Sequence, residues 1–402
     1  MRTVYGVAQL LVFSFALSAP AHGETALARA FAAAWQRQPA AAALGERERA
    51  VAAQRAAAEA WTAQPPSVAL GVRSDRFNDN KGAQENEIGL VLPLWLPGER
   101  GSSQALADAE RDALAGRYEL QRLRLAQALR EAWWAWQSAS NEQALADERR
   151  VAAGRLRDDV ARRFAAGDLS RADLNQAQGA LAQAEAQQAE GEAALAGARY
   201  RLESLTGQPL AAAEALPEPE PQAVAALHPL LRDAQARGAV AQRSLDLARA
   251  QGRANPEVAI ATRRERVASG EPTEQTWALA LNIPFAAGPR QDARVATASA
   301  EAIEAAVEQE RETERLAREA EAVRRQVAAG RQQLAAAEQR ARVARENRGF
   351  YEKSFRLGES DLPTRLRIES EAFEAERALG RARIALAQGI SQLRQSLGLL
   401  PE

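Results

Sequence analysis

Cysteine is absent from this sequence of 402 residues, which contains only one methionine and two histidines. The lack of cysteine excludes disulfide bonds, thiolate nucleophiles and cysteine-based zinc sites. Neither sign of charge is in excess, because 52 basic residues stand against 53 acidic ones, and we therefore expect no nucleic-acid partner. Aromatic residues are scarce at 5%, whereas alanine is abundant. This composition favours long, closely packed helices over a compact core.

Catalytic signatures are missing as well. The sequence has no glycine-rich phosphate loop, no credible Ser-His-Asp set and no carboxylate pair that stands out from the general background of acidic residues. His228 is the only histidine after residue 22, and its position in the repeat described below predicts a structural role. We therefore expect no enzyme activity, no cofactor and no metal site.

The first 23 residues have the pattern of a secretory signal peptide. Arg2 precedes an apolar run from Val7 to Leu17, and small residues follow it up to Gly23. A membrane anchor is the alternative, but a spanning helix needs about 20 apolar residues and this run has about 11. No later stretch of the sequence is long and apolar enough to be a transmembrane helix. We predict that residues 1–23 are removed and that the exported chain can cross a membrane only with strands.

An internal repeat organises the rest of the chain. Four landmarks recur at an offset of 190 or 191 residues, which predicts two copies of one unit, 24–206 and 223–402, joined by a proline-rich linker over 207–222. The paired landmarks are Gln38-Pro39 with His228-Pro229, Pro66 to Leu70 with Pro256 to Ile260, Leu92-Pro93-Leu94 with Ile283-Pro284-Phe285, and Phe164 to Gly167 with Phe355 to Gly358.

Each copy contains long helical stretches. A lead helix is predicted from Glu24 to Ala63, where prolines stop it. Long helices are predicted from Gly98 to Phe164 and from Pro289 to Phe350, and about 65 residues make a rod of roughly 100 Å. Apolar residues spaced by sevens and fours indicate coiled-coil packing. We expect Trp133, Trp134 and Trp136, midway along the first rod, to pack rather than to bind a ligand.

Shorter helices are predicted over Ser170 to Thr206 and Ala223 to Arg253. Together they have about 67 residues, nearly the length of one rod at the same rise per residue. Two short helices laid end to end could pair antiparallel with each long helix and leave the linker near mid-height. Independent coiled-coil hairpins are the alternative.

Two pairs of short strands are predicted, near 66–95 and near 256–284, because large apolar residues alternate there with small or polar ones. Such a face looks inward in a soluble sandwich and toward lipid in a membrane barrel. Trp61, Trp95 and Trp277 lie at or beside strand ends, as membrane-interface aromatics do. The polar connections from Ser74 to Gln84 and from Val267 to Gln275 would be external loops.

Four strands are too few to close a barrel, since closed barrels begin at about eight strands and an open edge in lipid leaves backbone groups unsatisfied. A barrel must therefore be shared between copies of the chain. Two copies give eight strands and three give twelve, and the residues alone do not choose between these numbers.

Taken together, the duplication, the endings Leu92-Pro93 and Ile283-Pro284, and the segments Arg163 to Asp168 and Ser354 to Glu359 resemble the TolC-type outer-membrane factors, also called the outer membrane efflux protein family. The resemblance implies a mainly α fold with a small transmembrane β part. A long α-helical coiled-coil barrel carries four strands per chain, and a homotrimer shares a twelve-stranded β-barrel. It places the protein in outer-membrane lipid of a Gram-negative bacterium, extending into the periplasm.

The same resemblance implies partners and a contact region. The partners are a periplasmic adaptor and an inner-membrane transporter of the RND type. The family's helix-turn-helix tips fall at 164–170 and 355–362, and the contact or entrance residues carried over by position are Phe164, Gly167, Asp168, Asp173, Phe355, Gly358, Glu359 and Asp361. Plain glycine caps with no partner contact are the alternative at the two glycines.

The set of residues that closes the entrance in the family is only partly present in this sequence. Asp173 matches an acidic position that helps to hold the entrance closed in relatives, but the equivalent step in the second copy reaches Thr364, beside Pro363. The remaining acids, Asp168, Glu359 and Asp361, keep the tips acidic, which favours cations electrostatically.

Function is predicted from this resemblance as the exit duct of an efflux system that passively conducts its substrate outward. Segments such as Pro97 to Arg100 and Ile283 to Phe285 are similar to those of the cobalt-zinc-cadmium branch, so heavy-metal cations are the expected cargo. A duct need not bind what passes through it. A multidrug or type I secretion duct is the first alternative, and a periplasmic coiled-coil structural protein without a pore is the second.

Overall fold

The computed structural model describes residues 25–209, 217–221, 227–285 and 288–402. The predicted signal peptide and part of the predicted linker lie outside these residues. The elements in chain order are α1 (Ala26–Gln36), α2 (Pro39–Glu59), β1 (Ser67–Ser74), β2 (Gln84–Pro93), α3 (Glu99–Ala166), α4 (Arg171–Thr206), α5 (Pro229–Ala250), β3 (Glu257–Arg266), β4 (Glu274–Asn282), α6 (Pro289–Arg356) and α7 (Leu362–Ser396).

The mainly α fold with four strands is confirmed, and its two halves have similar element orders. The long helices α3 and α6 contain 68 residues each. Each begins directly after a glycine, and α6 runs to Arg356 instead of ending at Phe350. At 1.5 Å per residue, each rod is roughly 100 Å long.

The predicted single lead helix is wrong. Two helices occupy this segment, because the backbone becomes extended at Gln38 before Pro39 opens α2 at its first turn. Proline cannot continue a preceding helix but fits the start of a new one, where its missing N–H is not needed. The second helix ends at Glu59, since Ala60 has extended geometry. In the other half, α5 begins at Pro229, and the Nδ1 atom of His228 accepts from the backbone N–H of Leu230 at 3.1 Å.

The four strands form one antiparallel sheet in the order β1-β2-β3-β4. In the described part of the chain, β1 and β4 each have a neighbour on one side only, so both edges of the sheet are open. The chain ends of β2 and β4 lead into the long helices, so the sheet lies at one end of the rods. We call this the sheet end, and the opposite end, where α3 meets α4 and α6 meets α7, the tip end.

The helices pack side by side along the rods. Both α4 and α5 run antiparallel to α3, with α4 along its tip half and α5 along its sheet half, as the length argument predicts. Arg149 of α3 donates to Gln187 of α4 at 2.8 Å, and Arg232 of α5 donates to Glu119 of α3 at 2.6 Å. Along α6, α5 covers the sheet half and α7 the tip half. The helix α5 therefore joins the two rods.

The main core lies midway along α3. The three tryptophans predicted to pack are buried there, and the Trp134 indole N–H donates to the Ser391 hydroxyl at 2.9 Å. The linker segment 217–221 reaches the same level, where the Glu218 carboxylate receives Arg130 at 2.7 and 2.9 Å. Among the described helices, none combines the length and the apolar character needed to cross a membrane. The core residues are Leu27, Phe31, Ala34, Leu125, Ala126, Leu129, Trp133, Trp134, Trp136 and Leu202.

Candidate functional sites

One face of the sheet is apolar and exposed. Strand register brings side chains into rows across the four strands, such as Leu70, Ile88, Thr262 and Trp277 in one row and Val68, Leu90, Ile260 and Leu279 in the next. Leu70 is 75% exposed, Trp277 74% and Leu279 76%. Large apolar side chains that are this exposed over a contiguous patch mark a surface that another apolar phase covers.

The opposite face carries small residues and then charges. Its small rows contain Ala69, Gly89, Ala261 and Ala278, and Ser67, Val91, Ala259 and Ala280. Nearer the loops, Arg263 pairs with Glu85 at 2.9 Å and with Glu87 at 3.1 Å, and Arg73 pairs with Glu85 at 3.3 Å. Glu265 and Glu274 lie in the same row as Glu85. These two rows therefore contain four carboxylates and two guanidinium groups.

Two of the predicted interface tryptophans lie just outside the strands, and the third lies within a strand. Trp61 is 81% exposed and precedes β1, whereas Trp95 follows β2 and is half-buried. The Trp95 indole N–H donates to the carbonyl of Ala60 at 3.0 Å, so these two tryptophans lie together where the sheet meets the helices. Trp277 is within β4, paired with Thr262 on the apolar face. Sequence reasoning missed the Trp95 hydrogen bond, because its acceptor is a backbone carbonyl.

The first tip, 164–170, is a tight turn between α3 and α4. Gly167 has φ 88°, a left-handed conformation that favours glycine, and the N–H of Asp168 donates to the Arg163 carbonyl at 2.9 Å. Ser170 caps α4, and the Asp173 carboxylate accepts from its N–H at 2.9 Å and from its hydroxyl at 2.6 Å. Asp173 is thus committed to a capping box.

The second tip, 355–362, repeats the turn with different capping. Gly358 has φ 79°, and the N–H of Glu359 donates to the Ser354 carbonyl at 3.0 Å. Asp361 caps α7 by accepting from the N–H of Thr364 at 3.0 Å. Hydrogen bonds from Thr364, through its side chain and its backbone, hold the pKa of Asp361 below its usual range. Thr364, which replaces the acid of the first tip, is therefore the donor to a different carboxylate.

The two tips of one chain pack on each other. Arg163 donates to the carbonyls of Phe355 at 3.1 Å and Arg356 at 3.2 Å, and its guanidinium lies 5.0 Å from the centre of the Phe355 ring. Arg365 lies 4.8 Å from the same ring. Because these carbonyls are at the C-terminal end of α6, Arg163 also interacts favourably with the helix dipole. Sequence reasoning missed Arg163, whose acceptors are backbone atoms of the other repeat.

The carried-over tip residues differ in exposure. Phe355 is only 2% exposed within the chain, Phe164 and Asp173 are half-buried, and the rest are exposed. Leu357, which the sequence analysis did not single out, is also exposed, at 64%. The exposed surface of the tips includes Gly167, Asp168, Leu357, Gly358, Glu359 and Asp361, together with Ala165, Ala166, Ser170 and Arg356. In the described ranges, no three His, Cys, Asp or Glu side chains come together in a way that could hold a metal ion.

Comparison with known proteins bears on the family and the fold. The family described as outer membrane efflux protein matches residues 27–208, and no curated protein sequence matches the chain. The outer membrane protein VceC from Vibrio cholerae is 17% identical, with a TM-score of 0.74 over 94% of this chain and 97% of its own. The CmeC outer membrane channel of Campylobacter jejuni is 14% identical, with a TM-score of 0.75 over 92% and 85%.

The MtrE outer membrane channel of Neisseria gonorrhoeae, in its open state, is similar as well. It is 17% identical, with a TM-score of 0.71 over 93% of this chain and 89% of its own. The family match and the common fold together confirm the predicted resemblance to TolC-type outer-membrane factors. The cobalt-zinc-cadmium branch stays a prediction.

Proposed function

We propose that this chain, a TolC-type outer-membrane factor by its fold and by its match to the outer membrane efflux protein family, is the exit duct of a tripartite efflux system. Three copies would share a twelve-stranded barrel in the outer membrane and a helical tunnel in the periplasm. A periplasmic adaptor and an inner-membrane transporter of the RND type would deliver the substrate. The duct itself is passive.

One observation carries this proposal: an open sheet with an exposed apolar face lies at the end of two long rods. In water, such a face and two unpaired edges favour aggregation. In lipid, the face is solvated by acyl chains, but each open edge has to pair with a strand of another copy. A barrel shared between copies satisfies both requirements. A periplasmic coiled-coil protein without a pore has no use for this face.

The opposite face would then line the pore. Small side chains leave the interior open, and the charged rows near the loops would surround the exit with four carboxylates and two guanidinium groups per chain. At the other end, Asp168, Glu359 and Asp361 would surround the entrance. A pore with negative charge at both ends raises the local concentration of cations. Cations are therefore the favoured cargo, with heavy-metal ions as the first class to test.

The exposed tip surface is the region that we assign to the adaptor. Asp168 and Glu359 project from it, and Leu357 supplies an apolar contact between them. The buried Phe355 would support this surface from beneath instead of touching the adaptor.

Neighbouring residues of β4 allow a test of the barrel. Leu279→Arg puts a charge on the proposed lipid face and should prevent stable insertion, since such a charge costs about 2–4 kcal/mol at the middle of the bilayer. Ala278→Arg puts the same charge on the proposed pore face and should insert but change the conductance. Outer-membrane fractionation, heat-resistant oligomers on gels and planar-bilayer recordings measure this. Equal insertion of both variants would contradict a lipid-facing assignment.

The cargo is tested in a strain that lacks this gene, compared with its parent. The inhibitory concentrations of zinc, cobalt, cadmium, copper and several hydrophobic drugs are measured. Sensitisation to the metal ions alone supports a cation-efflux duct. Sensitisation to drugs alone leaves the duct in place but rejects heavy-metal ions as its cargo.

A further inference from the structure

A cavity of about 490 Å³ lies in the helical wall, just above the tips. It is lined by residues of α3, α4 and α7 and by Arg348 of α6. This volume is within the roughly 300–1,000 Å³ of sites that hold small organic ligands. The apolar part of the lining contains Leu145, Leu156, Leu366 and Phe373.

The cavity contains carboxylates that nothing neutralises directly. Glu148 of α3 and Glu369 of α7 both line it, and in the described part of the chain neither forms a hydrogen bond or an ion pair. Of the other charged groups in the lining, Arg348 forms no hydrogen bond or ion pair within the described residues, whereas Glu376 and Arg149 are committed. Glu376 pairs with Arg345 at 3.0 Å, and Arg149 donates to Gln187 at 2.8 Å.

Glu369 is half-buried, and this burial raises the pKa of its carboxyl group. Five charged groups on α7, α6 and α3 face it from a distance, and the three cationic ones oppose the rise of its pKa, whereas α4 contributes no charge to the lining. The five groups are Arg365 on α7, Arg348 and Glu352 on α6, and Arg149 and Glu148 on α3. A carboxylate in this environment gains a great deal from a cation that comes within contact distance, because burial strengthens the attraction.

The cavity lies between two levels at which side-chain hydrogen bonds join α3 to other helices. On its sheet side, Glu142 of α3 receives Arg377 at 2.5 Å and Arg381 at 2.6 Å. On its tip side, Arg163 holds the end of α6 through the Phe355 carbonyl at 3.1 Å. Between these levels the Arg149 guanidinium of α3 lies 4.5 Å from the centre of the Phe373 ring of α7, so a cation–π contact joins the two helices beside the cavity.

We propose that this cavity binds an organic cation that carries an apolar, aromatic body. The positive charge lies against Glu369, and the aromatic body lies among Leu156, Leu366 and Phe373. The ring of Phe373 already accepts the Arg149 guanidinium 4.5 Å from its centre, which indicates that this corner accommodates a planar cation. An inorganic ion would leave the apolar lining unused, and an anion would meet two carboxylates.

This site goes beyond the proposed duct and is independent of it. It lies within the wall of a single chain, so the pore can conduct whether or not the site exists. Binding is measured on the purified protein, and transport is measured in cells, so the failure of one proposal is distinguishable from the failure of the other.

The experiment uses rhodamine 6G, a planar aromatic cation, and its fluorescence anisotropy with the purified full-length protein in a non-ionic detergent. Saturable binding is expected. Glu369→Gln should weaken it by at least about tenfold, the loss expected for one charge-assisted contact. Glu374→Gln is the matched control, because Glu374 is an exposed carboxylate on the same helix outside the cavity, and it should bind like the wild type.

Arg348→Gln should change the affinity for rhodamine 6G in the opposite direction. Removing this guanidinium takes away a competing cation, so rhodamine 6G should bind more tightly. In the wild type, binding should weaken as the pH falls through the raised pKa of Glu369, whereas Glu369→Gln should lose this dependence. Absence of saturable binding, equal affinity of the wild type and Glu369→Gln, or equal binding of the anion fluorescein would overturn the proposal.

Discussion

The two long helices have the same length and equivalent positions in the repeat, yet their surroundings differ. Eighteen residues of α3 are buried, against seven of α6. The helices α1, α2, α4, α5 and α7 all pack on α3. Among the described helices, α6 packs along α5 and α7 and meets α3 at its C-terminal end, through Arg163. Equal rods therefore have unequal roles: α3 is the centre of the chain, and α6 presents one side to its surroundings.

The free side of α6 is not uniformly polar. Ile303 is 62% exposed, Val307 43% and Val343 43%. Apolar side chains at this exposure on a helix whose partners lie on its other side indicate a surface that an assembly covers. In the proposed trimer, this surface would face the next copy of the chain, and the comparison of α3 with α6 would become a comparison of internal and intermolecular packing.

The largest expected difference concerns two glutamates of one linker segment. Glu218 is buried between Arg130 of α3, at 2.7 Å, and Arg394 of α7, at 3.3 Å. Glu218→Ala should lower the free energy of unfolding by about 3–5 kcal/mol, because two buried guanidinium groups lose their partner. Glu220, two residues away, pairs with Arg331 of α6 at the exposed surface. Glu220→Ala should cost about 0–1 kcal/mol.

Chemical denaturation followed by circular dichroism measures both variants. Similar losses for Glu218→Ala and Glu220→Ala would contradict the central role of the α3 contacts.

Sequence reasoning could predict the rods and the strands but not this contrast. The lack of proline between Gly98 and Gly167 predicts an uninterrupted helix, and period-two alternation around Val68 and Leu279 predicts strands. These signals are local. The segment Pro217 to Pro221 looks like an exposed linker, and only the convergence of Arg130 and Arg394 from distant parts of the chain buries Glu218.

Contacts at the tips were unpredictable for a related reason. A tip motif shows where the chain turns but not which of its apolar residues faces inward. Phe355 and Phe164 occupy equivalent positions, yet only Phe355 is fully buried, because its ring is part of an apolar cluster that Phe164 only borders. The break before Pro39 was missed because the composition on both sides is helical, and proline permits a helix to start as readily as it stops one.

A smaller contrast is expected between apolar truncations on the two rods. Leu129 of α3 is 0% exposed, and Leu129→Ala should lower the free energy of unfolding by about 2–5 kcal/mol through the cavity that it leaves. Val307→Ala on α6 should change the stability of the dissociated chain by less than about 0.5 kcal/mol. Urea denaturation of detergent-dissociated protein measures this difference.

The oligomeric state of the assembled protein gives a second test of the comparison between α3 and α6. Val307→Asp should leave the helix content unchanged but shift the protein from oligomer to monomer in size-exclusion chromatography, because a carboxylate would enter an apolar contact between copies. If Val307→Asp elutes with the wild-type oligomer, the free side of α6 is not the contact between copies.

The smallest expected difference is in the pH dependence of helix capping at the two tips, where α3 and α6 end. The first tip uses a reciprocal capping box, whereas in the second tip Asp361 alone caps α7, with its pKa held below the usual range by Thr364. The folded state lowers this pKa, so the capping contribution is fully present above the ordinary carboxyl pKa. It is lost as the pH falls through that value and the lowered one, below about pH 4.

Asparagine caps a helix as well as aspartate does but does not titrate, so Asp361→Asn isolates the charge. The wild type should have the higher thermal midpoint at pH 7, because the carboxylate also interacts with the positive end of the α7 dipole. This advantage should diminish progressively as the pH falls below about 4, whereas Asp361→Ala should be less stable than Asp361→Asn throughout. An advantage of the wild type that stays undiminished down to pH 3 would mean that Asp361 acts through its shape and not through its charge. The second tip would then be insensitive to acid in the same way as a cap built on serine.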